Sequence, residues 1–203
     1  MAELEQRVRA AVDQLGTAHE AAPPASRRRA AVLLLFDRRD PRLPLLFLER
    51  TAHLRHHAGQ IGFPGGGSED GDTDIVATAL REANEEAAIP SEAVEVIGLL
   101  PPLLTATSDN WLTPVIGLID RDVQLRPDPF EVARLFTVDL QTLIDAPHTV
   151  RRLTHDGNTR DVHFYRVNGD VIWGVTGEVV AELIRRLRAH SAPRGVSDIE
   201  GGR

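Results

Sequence analysis

The sequence predicts an α+β fold in which strands and helices form α/β/α layers. Three observations support this: two strand-like runs at 29–36 and 43–50, a glycine-rich loop followed by a helical run at 74–89, and further strand-like runs before a closing helix at 178–190. Strands interleaved with helices in this order favour helices packed on a sheet. At 203 residues the chain suits one domain with one substantial core.

The first half of the chain predicts two strands that lead into a long loop. An amphipathic helix is expected at 3–15 and a linker at 16–26, where two prolines stand together. The two strands are joined by a turn at 37–42. Residues 51–67 are expected to form a loop, and a loop of that length suggests binding. The helix that follows is expected to be capped by Asp72 or Thr73 and stopped by Pro90.

The second half predicts more strands and two helices. Strands are expected at 94–105 and 111–119, a short helix from Pro129 to Leu135 that carries Glu131, and a helical turn at 138–146. A hairpin is expected around 156–158, and Trp173 near the last strand is expected to be buried in the core rather than to stack on an adenine. We therefore divide the chain into a helix and linker (1–28), a domain (29–190) and a polar tail (191–203) that is predicted to be disordered.

Composition excludes several chemistries. The chain has no cysteine, which excludes disulfides, thiol catalysis and thiolate metal sites, and it has no lysine, which excludes Schiff-base and P-loop lysine chemistry. A formal charge of −7 argues against a nucleic-acid partner. No apolar run approaches the roughly 20 residues of a membrane helix, and the first residues lack a signal-peptide pattern. A cytoplasmic protein without a membrane partner is expected.

Three carboxylates stand together on the helix at 74–89. Glu82, Glu85 and Glu86 are spaced by three and four residues, so they share one side of the helix. The opposite side carries an apolar stripe of Val76, Ala79, Leu80, Ala83 and Ala87. Such carboxylates repel one another by a few tenths of a kcal/mol per pair, a cost that a hard divalent cation would remove. A solvated glutamate face is the alternative.

The stretch GQIGFPGGGSEDGDTDIVATALREANEEAAI resembles the Nudix box, G-x5-E-x7-R-E-U-x-E-E-x-G-U, where U is a bulky aliphatic residue. Matching positions are Arg81, Glu82, Glu85, Glu86 and Ile89. The acidic position falls on Thr73 when counted back from Arg81, or on Asp72 with one extra residue when counted from Gly66. Ala83 replaces the aliphatic residue, and Ala88 replaces the late glycine. The resemblance implies the Nudix α/β/α sandwich, a mixed sheet between helices.

A second pattern resembles the coenzyme A pyrophosphatase branch of that family. The stretch LFLERTAHLRHHAGQIGFPGG matches LLTxR-(S/A)-x-x-R-x-x-x-G-x-x-x-FPGG, with Glu49 in place of the threonine. That branch also tends to carry the extra residue in the box. Together with the runs at 94–119, around Glu131 and at 171–184, the resemblance covers most of the chain from Arg29 to Leu187.

The resemblance implies a site that holds Mg²⁺ or Mn²⁺. Glu82, Glu85 and Glu86 are expected to be metal ligands, joined by a backbone carbonyl of Gly65 or Gly66. Arg81 is expected to pair with the glutamates and orient them. Glu131 is the candidate general base, and a solvated surface residue is the alternative. The histidines at 53, 56 and 57 are expected to be solvent-exposed rather than metal- or phosphate-binding.

The implied reaction is cleavage of coenzyme A to 4′-phosphopantetheine and adenosine 3′,5′-bisphosphate. Arg50 and Arg55 are expected to bind this small-molecule substrate, with the 3′-phosphate as one target, or else to form ion pairs with Glu49, Glu69 or Asp70. A Nudix diphosphatase for ADP-ribose, NADH or a nucleoside triphosphate is the second hypothesis, and a non-catalytic ligand-binding protein is the third. A homodimer is compatible with all three.

Overall fold

A computed structural model describes residues 3–12, 27–54, 57–105, 110–155 and 157–189. Arg55, His56, the linker at 16–26 and the tail at 191–203 lie outside these ranges. The helices are α1 (Glu3–Ala11), α2 (Ile75–Ala87), α3 (Leu140–Asp145) and α4 (Gly174–Ala189). The strands are β1 (Arg28–Asp37), β2 (Leu45–Arg50), β3 (Ile61–Gly62), β4 (Gly65–Gly67), β5 (Val94–Leu99), β6 (Leu103–Leu104), β7 (Asn110–Ile119), β8 (Val132–Val138), β9 (His148–His155), β10 (Asn158–Val167) and β11 (Asp170–Trp173).

The central sheet is mixed and has eight strands. Its main order is β3-β2-β1-β7-β5, with β4 paired to β1, β6 to β7 and β8 to β2. Strands β1 and β7 run parallel over ten residue pairs, and the other pairings are antiparallel. A smaller sheet has the order β11-β10-β9.

Strand β1 is covered on both faces. Its alternate side chains point to opposite sides of the sheet, so each face contributes to a different cluster. Ala31, Leu33 and Leu35 pack with the small-residue face of α2. Ala30, Leu34 and Phe36 belong to a second cluster with residues of α1, α3 and α4. The sheet therefore lies between helices, which confirms the α/β/α sandwich of the predicted α+β class.

Helix α2 differs from its prediction at both ends. Its N-cap is Asp74, which accepts a hydrogen bond from the Ala77 backbone N–H at 2.8 Å, and neither Asp72 nor Thr73 is the cap. The helix ends at Ala87, before Pro90, because Ala88 takes a left-handed conformation (φ 54°, ψ 39°) and its N–H bonds back to the last turn. This is the conformation that usually selects glycine after a helix.

Three other predictions are corrected. The helix predicted from Pro129 to Leu135 is wrong, since Glu131 directly precedes strand β8, whose backbone satisfies the edge of β2. The predicted loop at 51–67 contains the short strands β3 and β4. Trp173 is 39% exposed and stacks on Phe164 with ring centroids 5.9 Å apart, so it is not a core residue. Its pairing opposite Phe164 places both rings on the open face of the small sheet.

Candidate active site

The glycine loop, residues 65–67, brings backbone directly against helix α2. Gly65 pairs with Val32 of β1, and a Cβ at Gly65 would lie 2.2 Å from the Ala31 carbonyl oxygen. A Cβ at Gly66 would lie 2.4 Å from a carboxylate oxygen of Glu82. Gly65 therefore requires glycine, because its near neighbours are backbone atoms, whereas a Cβ at Gly66 would have to displace the Glu82 side chain. The loop fits between β1 and the first glutamate of α2.

Glu86 is the most enclosed of the box carboxylates, with an exposed fraction of 3%. One of its oxygens accepts the Gly65 backbone N–H at 2.8 Å, and the other accepts the Arg50 guanidinium at 3.1 Å. Burial raises the pKa of Glu86 to about 7. The Gly65 N–H and the charge of Arg50 act against that rise, while the nearby charges of Glu82 and Glu131 add to it.

Arg81 connects four groups around the box. Its Nη1 donates to Glu82 at 3.0 Å and to Glu85 at 2.9 Å, and its Nη2 donates to the Gly67 carbonyl at 2.9 Å. Its Nε donates to Asp72 at 3.1 Å. The hydrogen bond from Arg81, with the backbone N–H of Glu69, lowers the pKa of Asp72 to about 2. Two residues, Thr73 and Asp72, were considered for the acidic position of the box. Asp72 is the one that contacts Arg81.

Glu82 and Glu85 differ in their surroundings. Glu82 is largely buried, and burial raises the pKa of its carboxyl. The charge and hydrogen bond of Arg81 oppose that rise, and the charges of Glu85 and Glu131 reinforce it. The Glu85 side chain is 57% exposed. Of the three predicted ligands, two face the glycine loop and the third faces water.

Glu131 is brought to the box from outside it. Arg50 Nη2 donates to Glu131 at 3.1 Å while its Nη1 holds Glu86, so one guanidinium joins α2 to the segment before β8. The Glu131 side chain remains 45% exposed. The alternative ion pairs expected for Arg50 are not those found: it contacts Glu86 and Glu131, whereas Glu49 pairs with Arg134 at 2.6 Å.

The segment that carries Glu131 is fixed by its backbone. The Asp128 N–H donates to the carbonyl of Glu86 at 3.0 Å, and the Asp128 side chain accepts the N–H groups of Phe130 and Glu131. The N–H of Thr51 donates to the Glu131 carbonyl at 2.9 Å. Asp128 was not among the predicted site residues. The sequence signal for it was the Pro-Asp-Pro context, since aspartate accepts N–H groups two residues on in such turns.

The donor set fits a hard divalent cation. Side chains of Glu82, Glu85 and Glu86 and the carbonyl of Gly66 offer oxygen atoms only, as Mg²⁺ and Mn²⁺ prefer. Burial and the neighbouring carboxylates raise the pKa of Glu86, so its charged form is disfavoured there, and a bound cation would favour that form. Across the described ranges, no group of three Asp, Glu or His side chains yet encloses a metal position. Instead, Arg50 forms an ion pair with Glu86, and Arg81 forms one with Glu82.

The remaining predicted residues are placed as follows. His53 and His57 are exposed, as expected. Arg55 and His56 lie outside the described residues, so the expected contact of Arg55 with substrate stays a prediction. Within the described residues, no helix is long and apolar enough to cross a membrane.

A glycine loop, a carboxylate-bearing helix and a mixed sheet between helices together form a site rich in acidic oxygen atoms. Comparison with models of protein families identifies the family to which the chain belongs. The NUDIX domain model matches residues 26–157, and the chain belongs to the Nudix family.

Relatives of similar length carry the same family name. The chain is 41% identical over 165 residues to the "Uncharacterized Nudix hydrolase NudL" of Shigella flexneri serotype 5b, covering 81% of this chain and 85% of that protein. It is 42% identical over 161 residues to the NudL protein of Escherichia coli O6:H1, covering 79% and 83%. Neither name states a substrate.

Solved structures support the fold alone. The MutT protein from Methanosarcina mazei Go1 aligns with a TM-score of 0.53 at 13% identity, over 81% of this chain and 95% of that chain. A MutT/nudix family protein from Enterococcus faecalis aligns with a TM-score of 0.51 at 15% identity, over 82% and 64%.

Proposed function

We propose that this protein hydrolyses the diphosphate bond of coenzyme A or its derivatives, giving 4′-phosphopantetheine and adenosine 3′,5′-bisphosphate. The Nudix hydrolase family acts on pyrophosphate bonds of nucleotide derivatives. The observation that carries hydrolysis is that Glu82 and Glu86 of α2 lie against the glycine loop, while Arg50 ties Glu86 to Glu131 from a separate segment of the chain. The substrate rests on the pattern from Arg50 to Gly66, which resembles the coenzyme A branch.

The proposed cofactor is Mg²⁺ or Mn²⁺, which Nudix hydrolases generally use. We assign Glu82, Glu85, Glu86 and the Gly66 carbonyl to hold it. When bound, such an ion neutralises diphosphate oxygens and stabilises the charge that develops at phosphorus.

Glu131 is the proposed general base. Its carboxylate is held by Arg50 yet 45% exposed, so water can reach it. Proton removal by a positioned carboxylate as water adds to phosphorus contributes typically 10²- to 10⁴-fold in rate. Arg81 is proposed to orient Glu82 and Glu85, because its guanidinium donates to both. The bridging oxygen leaves with one phosphate, and the two products separate.

Several residues of the coenzyme A pattern support the site rather than face a ligand. Phe63 is buried and stacks on Phe47 with centroids 4.8 Å apart, while Gly65 and Gly66 fit against β1 and Glu82. Arg50 holds two carboxylates. Contact between Arg50 and substrate therefore requires that its ion pairs loosen. Arg55 carries the sharper expectation of a contact with the 3′-phosphate.

A substrate panel tests the function. Purified protein is assayed with coenzyme A, dephospho-coenzyme A, ADP-ribose, NADH and nucleoside triphosphates in Mg²⁺ or Mn²⁺, and the products are separated by chromatography. Coenzyme A is expected to give the highest kcat/KM. A higher value on ADP-ribose, NADH or a triphosphate would favour the second hypothesis. Binding without turnover of any compound would favour the non-catalytic one.

The variant Arg55→Ala tests the source of selectivity. A charge-assisted contact of about 1.5–3 kcal/mol corresponds to roughly 10- to 150-fold in kcat/KM. That loss is expected on coenzyme A and much less on dephospho-coenzyme A, which lacks the 3′-phosphate. Equal losses on both would assign Arg55 to the diphosphate or to the loop.

We further propose that residues 29–190 are the catalytic domain, that the protein is cytoplasmic, and that a homodimer is the assembly to test by light scattering.

A further inference from the structure

Phe130 is the most exposed large apolar side chain in the described part of the protein. Its exposed fraction is 65%, against 49% for Val150 and 39% for Trp173. A single exposed apolar residue needs no explanation by itself. The position of Phe130 does call for an explanation, because Phe130 directly precedes Glu131, the residue whose carboxylate Arg50 links to Glu86.

The backbone on both sides of Phe130 is fixed. Its N–H donates to the Asp128 side chain at 2.8 Å, and its carbonyl accepts the hydroxyl of Thr51 at 2.8 Å. The next residue, Glu131, bonds through its carbonyl to the Thr51 N–H at 2.9 Å. An exposed aromatic ring is thus presented on a segment that is held in place, which lowers the entropy lost when a ligand stacks on it.

His53 provides a second ring beside the first. The centroids of His53 and Phe130 are 4.9 Å apart with an interplanar angle of 60°, an edge-to-face contact. His53 lies three residues after Arg50, and Phe130 lies one residue before Glu131. The two segments that form the Arg50–Glu131 ion pair therefore also form this aromatic pair, and Phe130 is exposed to solvent.

We propose that the His53–Phe130 pair is the stacking site for the nucleobase of the substrate, with Phe130 as the main contact. The inference rests on the proposed hydrolysis of a nucleotide-derived diphosphate, because the diphosphate would lie at Glu82 and Glu86 with its nucleoside toward Phe130. A phenyl ring offers a π-face and no hydrogen bond, so it accepts adenine and other bases alike. A cation held by the carboxylates would position the phosphates, and the base adds affinity by stacking.

Two ligands that differ only in the base isolate this contact. Adenosine 5′-monophosphate and ribose 5-phosphate are titrated calorimetrically into the full-length protein in Mg²⁺, and their inhibition constants are measured in the hydrolysis assay. The ratio of their affinities reports the base. Stacking on an aromatic side chain corresponds to roughly 5- to 150-fold in affinity. Wild-type protein is expected to prefer the adenosine compound by a factor in that range.

Phe130→Ala is expected to abolish most of that preference, with the affinity for ribose 5-phosphate kept within about twofold. Phe130→Tyr is expected to retain the preference. Trp173→Ala is the matched control, since Trp173 is also an exposed aromatic residue but lies on the small sheet. The exposed position of Phe130 predicts an unchanged melting temperature for both of its variants.

The outcomes separate the stacking site from the proposed function. Wild-type protein that binds both ligands equally has no base site, and this overturns the inference. So does a Phe130→Ala variant that weakens both ligands alike, or one that weakens neither while coenzyme A is hydrolysed. Failure of wild type to hydrolyse every diphosphate of the panel would instead overturn the proposed function on which the inference rests.

Discussion

Replacement of Glu86 by glutamine removes one charge from the most buried carboxylate of the site while its shape is kept. In the wild type that carboxylate is 3% exposed and is held by the Gly65 N–H and by Arg50. Glutamine can accept the same N–H bond through its amide oxygen, so the loop is expected to stay in place. The variant therefore tests the charge rather than the packing.

The expected change in the free energy of unfolding follows from the pKa of Glu86. This pKa rises from an ordinary 4.5 to about 7 because the carboxyl is buried. Between these values the folded protein binds a proton that the unfolded chain has released. The metal-free protein therefore loses stability as pH rises from about 4.5 to 7, and the loss levels off above that pH. At about 1.4 kcal/mol per pH unit, the fall is about 3 kcal/mol. Glu86→Gln lacks a titrating group and should not show this fall.

The assay is urea denaturation of both proteins in EDTA at pH values from 5 to 8, followed by titration with Mg²⁺. The unfolding free energies of the two proteins should converge at pH 5, and Glu86→Gln should be the more stable at pH 8. Magnesium at 100 times its Kd should restore about 2.7 kcal/mol to the wild type and much less to the variant. Glu85→Gln is the control, because that side chain is 57% exposed and water already solvates its charge.

The same variant should hydrolyse substrate at least about 100-fold more slowly at saturating Mg²⁺, the scale of one main electrostatic contact. Glu85→Gln should be similar or milder. Parallel pH profiles for wild type and Glu86→Gln would refute the burial argument. Normal hydrolysis by Glu86→Gln would refute the metal assignment, whatever the pH profile shows.

Three further predictions concern the loop, the helix end and the base. Gly66→Ala should lower kcat by about 10- to 100-fold with little loss of stability, because a Cβ would displace a flexible box carboxylate; Gly67→Ala, where a Cβ meets nothing within 4 Å, is the control in the same assay. Ala88→Gly should raise the melting temperature by about 2–4 °C through relief of roughly 1 kcal/mol at a left-handed position, whereas Ala77→Gly inside the helix should lower it in the same scan. Glu131→Gln should lower kcat and flatten the acidic limb of the pH–rate profile; an unchanged limb would move the role of base elsewhere.

Much of the fold could be predicted from side-chain periodicity. The small residues at 79, 83 and 87 recur at helical spacing, and all three are fully buried against the sheet. The near-continuous apolar run of β1 predicted a strand, and the structure shows why it is continuous: both of its faces are covered. Local pattern was sufficient where one element supplied its own burial signal.

The prediction was wrong where a distant segment decides the local structure. Pro129 is a good first residue for a helix, but the chain after Glu131 instead forms a seven-residue strand that pairs with β2 at six positions. The unpaired edge of β2 overrides a short helix with weak intrinsic stability. Similarly, Trp173 was expected in the core rather than as a stacking residue, yet the small sheet leaves that face open. Neither outcome has a signal within a few residues.

The ion-pair partners of Arg50 could not be predicted from the sequence either. They explain how an acidic site folds in a chain without lysine. Arg50 donates from Nη1 to Glu86 and from Nη2 to Glu131, whereas Arg81 donates from Nη1 to both Glu82 and Glu85. The planar guanidinium presents several donors in a fixed fork, so each arginine can neutralise two carboxylates from different positions, which a lysine ammonium does with less geometric control. Because a divalent cation would compete with these guanidinium groups for the same oxygens, we expect metal binding to loosen Arg50 from Glu86.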